Sequence, residues 1–546
     1  MKKIAQFLII LPLSLSFLYA QSFNSKMVVM RDGIKLATDI YKSDSLKDGP
    51  VVLIRTPYNK SGIGEIVKFF TVNDYIVVVQ DVRGKYMSEG NFIPFSNEIS
   101  DGLETLDWIS QQSWCNGNIV MWGSSYLGHA ALVLSNSNHP NLKSIFSLSG
   151  WIDSQLINSP GGAFHQMLVI PWLIFEGQQS KVSLKGMDMD EIFNHTPLVE
   201  VIPVMDLDSG SSGLESLESA SNLTNSFSYI DVNIPIMHVT GWYDFTAMAS
   251  VDAYQKVLAS SKSSQNILIG PWYHNQIYDE NQYLGNYKLK PNSNTSLEPI
   301  LEYSVEWFDR TIKKPHKSLS PEAQYYVLFE DKWRASQVWP PQGAQNCKFY
   351  FKKDSLFTTQ YQEFIQEKGQ TNFTYNPENP VPTEGGANFN FFIDKLGIKN
   401  QNQIEAREDV ITFTSSFFKE DKIIAGSIST QLFIETNAKS TDFTAKLTKV
   451  DRDGNSWNLV DGITRIPIIE KSNSPLKVTI EMGDIAFLLK KGERLRVQIS
   501  GGNFPKYDRN PNTGEDSWQA TSFIEAQQII HHSKVYPSFI SIPFLK

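Results

Sequence analysis

Asn118-Ile119-Val120-Met121-Trp122-Gly123-Ser124-Ser125-Tyr126-Leu127-Gly128 is an apolar run that ends in a glycine-bounded serine turn. It reads as a buried β-strand leading into a nucleophile elbow, with Ser125 at the tip. Glycines two residues before the serine and three after it permit a sharp, crowded turn. Such a turn lifts the hydroxyl clear of a sheet and leaves the next N–H, that of Tyr126, to hold an oxyanion. The second glycine comes one residue later than in the usual G-x-S-x-G pattern, and in a serine-rich chain a surface turn can imitate the motif. The flanking sequence discriminates between the two.

Upstream, Pro50–Arg55 and Tyr75–Asp81 are short β-branched runs expected to be strands buried on both faces. Between the second of these and the elbow, Leu103, Leu106 and Ile109 fall on one helical face, and Leu142–Leu148 starts a further strand. Strand and helix in alternation predict a parallel sheet with right-handed crossovers, hence an α/β class. Periodicity then breaks over residues 151–228, rich in Gly, Pro, Asn and Met, where helical fragments at Phe164–Phe175 and Asp188–Asn194 predict a cap over the strand ends. The sheet resumes at Ile234–Gly241 and Asn266–Gly270, and a helix at Ile300–Ile312 closes it. Beyond Ser318 short strands without helices, from Tyr325–Phe329 to Arg494–Ile499, predict a β-sandwich. The expected domains are therefore 21–150 with 229–317 (α/β), 151–228 (cap) and 318–546 (all-β).

The 546-residue chain carries 20% charged and 12% aromatic residues, a globular composition with room for several cores. Its net charge is -9, or -11 without Lys2 and Lys3, which argues against nucleic acid as a partner because no basic stripe faces phosphate. Met1-Lys2-Lys3, the apolar run Ile4–Tyr19 and the small residue in Ala20-Gln21 predict a signal peptide over 1–20 and a secreted or periplasmic location; an uncleaved anchor is the alternative. No later segment reaches the roughly 20 apolar residues that span a bilayer. Two cysteines, Cys115 and Cys347, make no disulfide framework, and no Cys/His spacing suits a metal. Asp451-Arg452-Asp453-Gly454 lacks the further carboxylates of a calcium loop and reads as a hairpin turn. Neither metal nor cofactor is expected, and oligomeric state is open, a homo-oligomer included.

A serine hydroxyl needs a histidine to take its proton and a carboxylate to orient that histidine. The order Ser, acid, His, each just past a strand, selects two residues. His274 in Gly270-Pro271-Trp272-Tyr273-His274 alone among nine histidines is so placed, against a reading as a surface-loop residue. Asp244 in Gly241-Trp242-Tyr243-Asp244 follows the preceding strand, although Asp is also favoured as the N-cap of the helix after it. The loop Arg55-Thr56-Pro57-Tyr58 lacks the glycines that would supply a second backbone donor, so the Tyr58 phenol is the candidate; a tyrosine packed under the cap is the alternative.

Gln80-Asp81-Val82-Arg83-Gly84, Ser88-Glu89-Gly90 and Trp114-Cys115-Asn116-Gly117-Asn118, followed by the elbow, resemble the CocE/NonD hydrolases: cocaine esterase, α-amino acid ester hydrolases, glutaryl cephalosporin acylases and X-Pro dipeptidyl peptidases. The Asp244 and His274 segments and Arg55–Tyr58 are similar to the family's acid, base and tyrosine-donor segments. The likeness continues through Trp339-Pro340-Pro341, Asp442–Leu447 and Asp508–Gly514. The resemblance implies an α/β-hydrolase fold with an inserted helical cap and a C-terminal jelly-roll of galactose-binding-like type. It implies Ser125 as nucleophile, His274 as base and acid, Asp244 as its orienter, and Tyr58 with the Tyr126 amide as oxyanion donors. Gly161-Gly162-Ala163-Phe164 resembles the start of the family's cap, which makes Phe164 and the preceding Trp151 candidates for the substrate pocket; an ordinary cap-packing role suits Trp151 equally.

The implied reaction is hydrolysis of a small ester or amide through an acyl-enzyme. The α-amino acid ester hydrolases place acidic residues after the triad aspartate, where this chain has Phe245 and Thr246, so an ammonium group is not expected to be bound there. An X-Pro dipeptidyl peptidase is the alternative and would need a carboxylate in the cap, for which Glu176 and Asp153 are candidates. A carbohydrate- or surface-binding protein with an inactive hydrolase domain is the remaining one; it requires a broken triad, and every member is present.

Overall fold

The computed structural model describes residues 21–176, 186–201, 227–278, 282–293, 296–313, 321–352, 357–358, 369–467 and 474–546. The expected signal peptide, 1–20, lies outside them. In chain order the first layer comprises β1 (Gln21–Val29), β2 (Lys35–Ser43), β3 (Gly49–Thr56), α1 (Gly64–Val72), β4 (Ile76–Asp81), α2 (Glu98–Ser110), β5 (Cys115–Ser124), α3 (Tyr126–Leu132) and β6 (Leu142–Leu148). Helices α4 (Gln155–Asn158), α5 (Gln166–Glu176) and α6 (Met189–Asn194) follow. Then come β7 (Ile236–Tyr243), α7 (Ala247–Ser260), β8 (Gln265–Tyr273), α8 (Leu297–Phe308), β9 (Glu322–Val327) and β10 (Lys332–Ser336).

These strands form one ten-stranded sheet in the order β1-β2-β4-β3-β5-β6-β7-β8-β9-β10. The run from β4 through β9 is parallel. Parallel strands are covered on both faces, which explains why β3, β4, β7 and β8 are buried along their whole length. One expectation is corrected here. Tyr325–Phe329 does not open the β-sandwich: it contributes to β9, which pairs in parallel with β8 and returns through β10. An apolar strand pattern reports burial but not which sheet buries it, and Leu328, just past β9, exchanges backbone hydrogen bonds with Ala486 (3.0 Å) and Leu488 (2.8 Å) of the C-terminal region. The hairpin thus joins the two bodies, and the apolar core runs continuously from Trp242, Tyr254 and Tyr326 to Ile428, Phe443, Val497 and Ile540.

The C-terminal region has two antiparallel sheets, one of seven strands centred on Lys422–Thr436 and one of four ordered Ile411–Thr414, Arg494–Ser500, Thr441–Val450 and Ser456–Ile466. The Asp451 carboxylate closes the turn between the last two by accepting from the Asp453 and Asn455 amides (both 2.9 Å) and from Trp457 Nε1 (2.9 Å), as a hairpin residue does. Cys115 and Cys347 are both free thiols.

The helices between β6 and β7 are pinned to this β-region. The Phe164 amide donates to Asp508 Oδ1 (2.9 Å), and the Asp508 amide donates back to the Phe164 carbonyl (3.0 Å). Arg465 bridges Asp442 (2.8 Å) and Asp508 (2.9 Å) from beneath. Gly161, at φ +60°, passes so close to the strand Ser456–Ile466 that a Cβ would lie 1.9 Å from the Ile463 carbonyl oxygen.

Arg55, near the C-terminal end of β3, has no side-chain exposure and holds that edge of the sheet to the start of α2. Its guanidinium donates to Gln80 Oε1 (3.0 Å), to the Glu98 carbonyl (2.9 Å) and to the Glu98 carboxylate, with Asp101 4.0 Å away. Removing one side of a buried ion pair strands the other in low dielectric, so Arg55→Ala is expected to lower unfolding free energy by roughly 3–5 kcal/mol in urea melts.

Candidate active site

The loops after β5, β7 and β8 lie along one C-terminal edge of the parallel strands and carry Ser125, Asp244 and His274, with β6 between the first strand and the other two. Ser125 sits at φ +58°, ψ -123°, a conformation costing a non-glycine residue about 1–3 kcal/mol. The turn is held by the Ser125 amide donating to the Leu148 carbonyl (2.8 Å) and by the His129 amide donating to the Ser125 carbonyl (2.9 Å). Gly123 makes the reversal sterically feasible: a Cβ there would stand 2.2 Å from the carbonyl carbon and oxygen of Leu127. The late glycine, Gly128, serves a different contact, because a Cβ on it would meet Gly150 Cα at 3.0 Å. Helix α3 and the end of β6 therefore touch through glycine backbone.

Asp244 and His274 are buried and joined, with His274 Nδ1 at 3.0 and 3.2 Å from the two carboxylate oxygens. The carboxylate also accepts from Ser149 Oγ (2.5 Å), the Thr246 amide (2.9 Å) and Thr246 Oγ1 (2.8 Å). Burial pushes the Asp244 pKa up, but the charge of His274 and its hydrogen bond, then those of Ser149 and Thr246, outweigh it and hold the group below the usual carboxylate value. Phe245 lies against the His274 ring at 4.3 Å, and Phe389 from the β-region packs on both (5.5 and 6.2 Å).

Tyr58 and Tyr126 flank the serine. The Tyr58 hydroxyl is in hydrogen-bonding reach of the Ser125 side chain and accepts from Trp172 Nε1 at 3.3 Å. Burial first, and then the nearby Glu176 charge, raise the Tyr58 pKa, so the phenol keeps its proton at neutral pH. Tyr126 opens α3, a position whose N–H has no acceptor within the helix. Its own hydroxyl donates to Glu98 Oε1 (2.8 Å) and accepts from the Phe95 amide (3.0 Å). Hydroxyl, imidazole and carboxylate, with two donors beside the hydroxyl, have the composition needed for nucleophilic attack on a carbonyl.

The two candidate pocket residues differ in their surroundings: Trp151 packs on Phe95, the ring that stacks on Tyr126, and Phe164 packs on the β-region. Trp151 is buried against Phe95 (5.8 Å) and His129 (5.2 Å), and Phe164 packs on Trp518 (4.2 Å) at the seam with the β-region. Glu176 is buried with Lys85 at 3.5 Å, and Asp153 faces Lys256 at 3.9 Å. Ser149, Trp172, Glu98 and Phe389 also border the site and are not marked by any motif in the sequence. Ser149 follows β6 directly, a strand-end position that could have been read; Phe389 carries no local signal.

The chain matches the X-Pro dipeptidyl-peptidase (S15) family over residues 32–276 and the X-Pro dipeptidyl-peptidase C-terminal non-catalytic domain over 315–541. It is 28% identical to cocaine esterase of Rhodococcus sp. (strain MB1 Bresler), over 95% of this chain and 98% of that protein. Two solved structures share the fold over 98% of this chain and 99% of theirs: an aminopeptidase of a marine-sediment Thaumarchaeota archaeon (TM-score 0.83, 20% identical) and an α-amino acid ester hydrolase (TM-score 0.81, 22% identical). Because the elbow has no space at Gly123, Gly123→Ala should cost about 3 kcal/mol of stability, the upper end of the usual overpacking range, or abolish soluble expression, and thermal melts with expression yield would read this.

Proposed function

We propose, for a chain that belongs to the CocE/NonD hydrolases and pairs an S15 catalytic domain with an X-Pro dipeptidyl-peptidase-type C-terminal domain, that Ser125, His274 and Asp244 form a catalytic triad hydrolysing ester or amide bonds of small molecules. The observation carrying the proposal is the positive-φ turn at Ser125 beside Tyr58, on the same sheet edge as a buried Asp244–His274 pair.

In this reading Ser125 Oγ attacks the acyl carbon while His274 Nε2 takes its proton. Asp244 fixes the tautomer by accepting from Nδ1–H and stabilises the imidazolium that forms. The carbonyl oxygen becomes an oxyanion bound by the Tyr126 N–H and the Tyr58 O–H. Collapse expels the alcohol or amine, which receives the proton from His274. Water then attacks the acyl-enzyme by the same route in reverse, and no cofactor enters. The domain limits, 21–150 with 229–317, 151–228 and 318–546, belong to the same proposal, with the β9–β10 hairpin moved from the last of these to the α/β layer, and so does export directed by residues 1–20, which rests on the sequence pattern.

A second reading, cleavage of X-Pro peptides, is favoured by the S15 family match. Initial rates on p-nitrophenyl acyl esters and on Gly-Pro-p-nitroanilide separate the two: the ester should turn over and the dipeptide anilide should not. Ser125→Ala should abolish both turnover and labelling by a fluorophosphonate, and persistent labelling would exclude Ser125. Tyr58→Phe should lower kcat by on the order of 10²-fold, the effect of losing one oxyanion donor; an unchanged kcat would return Tyr58 to a packing role.

A further inference from the structure

The geometry points to Trp172 as a positioning residue that aims the Tyr58 hydroxyl at the oxyanion, an inference that rests on the proposed role of Tyr58. Trp172 lies on α5, outside the α/β layer that carries the nucleophile, and its indole N–H donates to the Tyr58 phenol oxygen at 3.3 Å. The indole is not loosely placed. It lies nearly parallel to Phe95 (5.8 Å, 17°) and Tyr126 (6.2 Å, 15°), and those two stack on each other at 4.6 Å and 24°. Tyr126 in turn meets the Tyr58 ring edge-on at 6.3 Å and 75°. Tyr126 is itself fixed by the hydrogen bonds of its hydroxyl to Glu98 and Phe95.

A phenol oxygen has one proton and can accept on the side the proton does not occupy. With Trp172 donating from the cap side, the Tyr58 proton turns away from the indole, and the Ser125 side chain is within its hydrogen-bonding reach. A donor that also accepts a hydrogen bond is polarised by it and becomes a better donor. One N–H therefore does two things: it sets the rotor and strengthens the bond that grows as the oxyanion forms. Since the indole is carried by α5, the second oxyanion donor acquires its orientation from the cap, while the first, the Tyr126 amide, is set by the elbow.

A Trp172 that served only as a pocket wall would alter KM for bulky acyl groups and would act independently of Tyr58. The positioning role predicts something else, testable by a double-mutant cycle with p-nitrophenyl acetate, whose acyl group is too small to need a wall. Trp172→Phe retains a ring and removes the N–H. Rates are expressed per site titrated with a fluorophosphonate, so that misfolded protein is not counted. In the otherwise native enzyme kcat should fall about five- to tenfold with KM little changed, the size of one neutral hydrogen bond. In the Tyr58→Phe background the same substitution should change kcat by less than about twofold, since no phenol is left to aim. Equal losses in both backgrounds, or a change confined to KM, would overturn the role of Trp172 and leave that of Tyr58 standing. A Tyr58→Phe enzyme with native kcat would instead remove the premise and the inference with it. If Trp172→Phe yields no folded protein, Trp172→Leu carries the same cycle with the same criteria.

Discussion

The left-handed backbone at Ser125 is the constraint on which the other parts of the site depend. At φ +58° the serine is strained, and the strain persists only because the turn is overdetermined by the Leu148 carbonyl on one side and the first turn of α3 on the other. Gly123 and the Gly128–Gly150 contact let the backbones approach closely enough for those bonds to form. The same reversal places the Tyr126 amide at the open end of a helix and points the Tyr126 ring back toward Glu98. The proposed nucleophile and the first proposed oxyanion donor thus share one piece of geometry, and a loss at either end would disturb both.

The second half of the site is assembled from distant parts of the chain. Tyr58 rises from the end of β3, Trp172 descends from α5, and Phe389 reaches in from the β-region to pack near His274. Helix α5 is in turn tied to the β-region where Phe164 and Asp508 exchange backbone and carboxylate hydrogen bonds over the Arg465 bridge. The C-terminal region thereby anchors the chain just ahead of helix α5. Through Trp172, that placement reaches the phenol proposed to bind the oxyanion.

Much of this was legible because strand ends are legible. Ser125, Asp244 and His274 each follow a short β-branched run, and the parallel sheet brings such ends to one edge. Tyr325–Phe329 reads as the opening of the sandwich for the converse reason: its pattern states only that both faces are covered, and two cores are available to cover it. Trp172 was hidden in an apolar helix, where one tryptophan looks like any core residue until its N–H is seen to meet Tyr58. Phe389 is hidden more deeply, since its place against Phe245 is set by the docking of two domains and leaves no periodicity in the local sequence.

The most direct test of the account is a crystal structure of the enzyme after reaction with diethyl p-nitrophenyl phosphate, whose phosphoryl group mimics the tetrahedral intermediate. The account predicts a covalent bond from Ser125 Oγ to phosphorus, with the phosphoryl oxygen about 2.7–3.1 Å from both the Tyr126 nitrogen and the Tyr58 hydroxyl. An adduct on another residue, or a phosphoryl oxygen turned away from both donors, would contradict it.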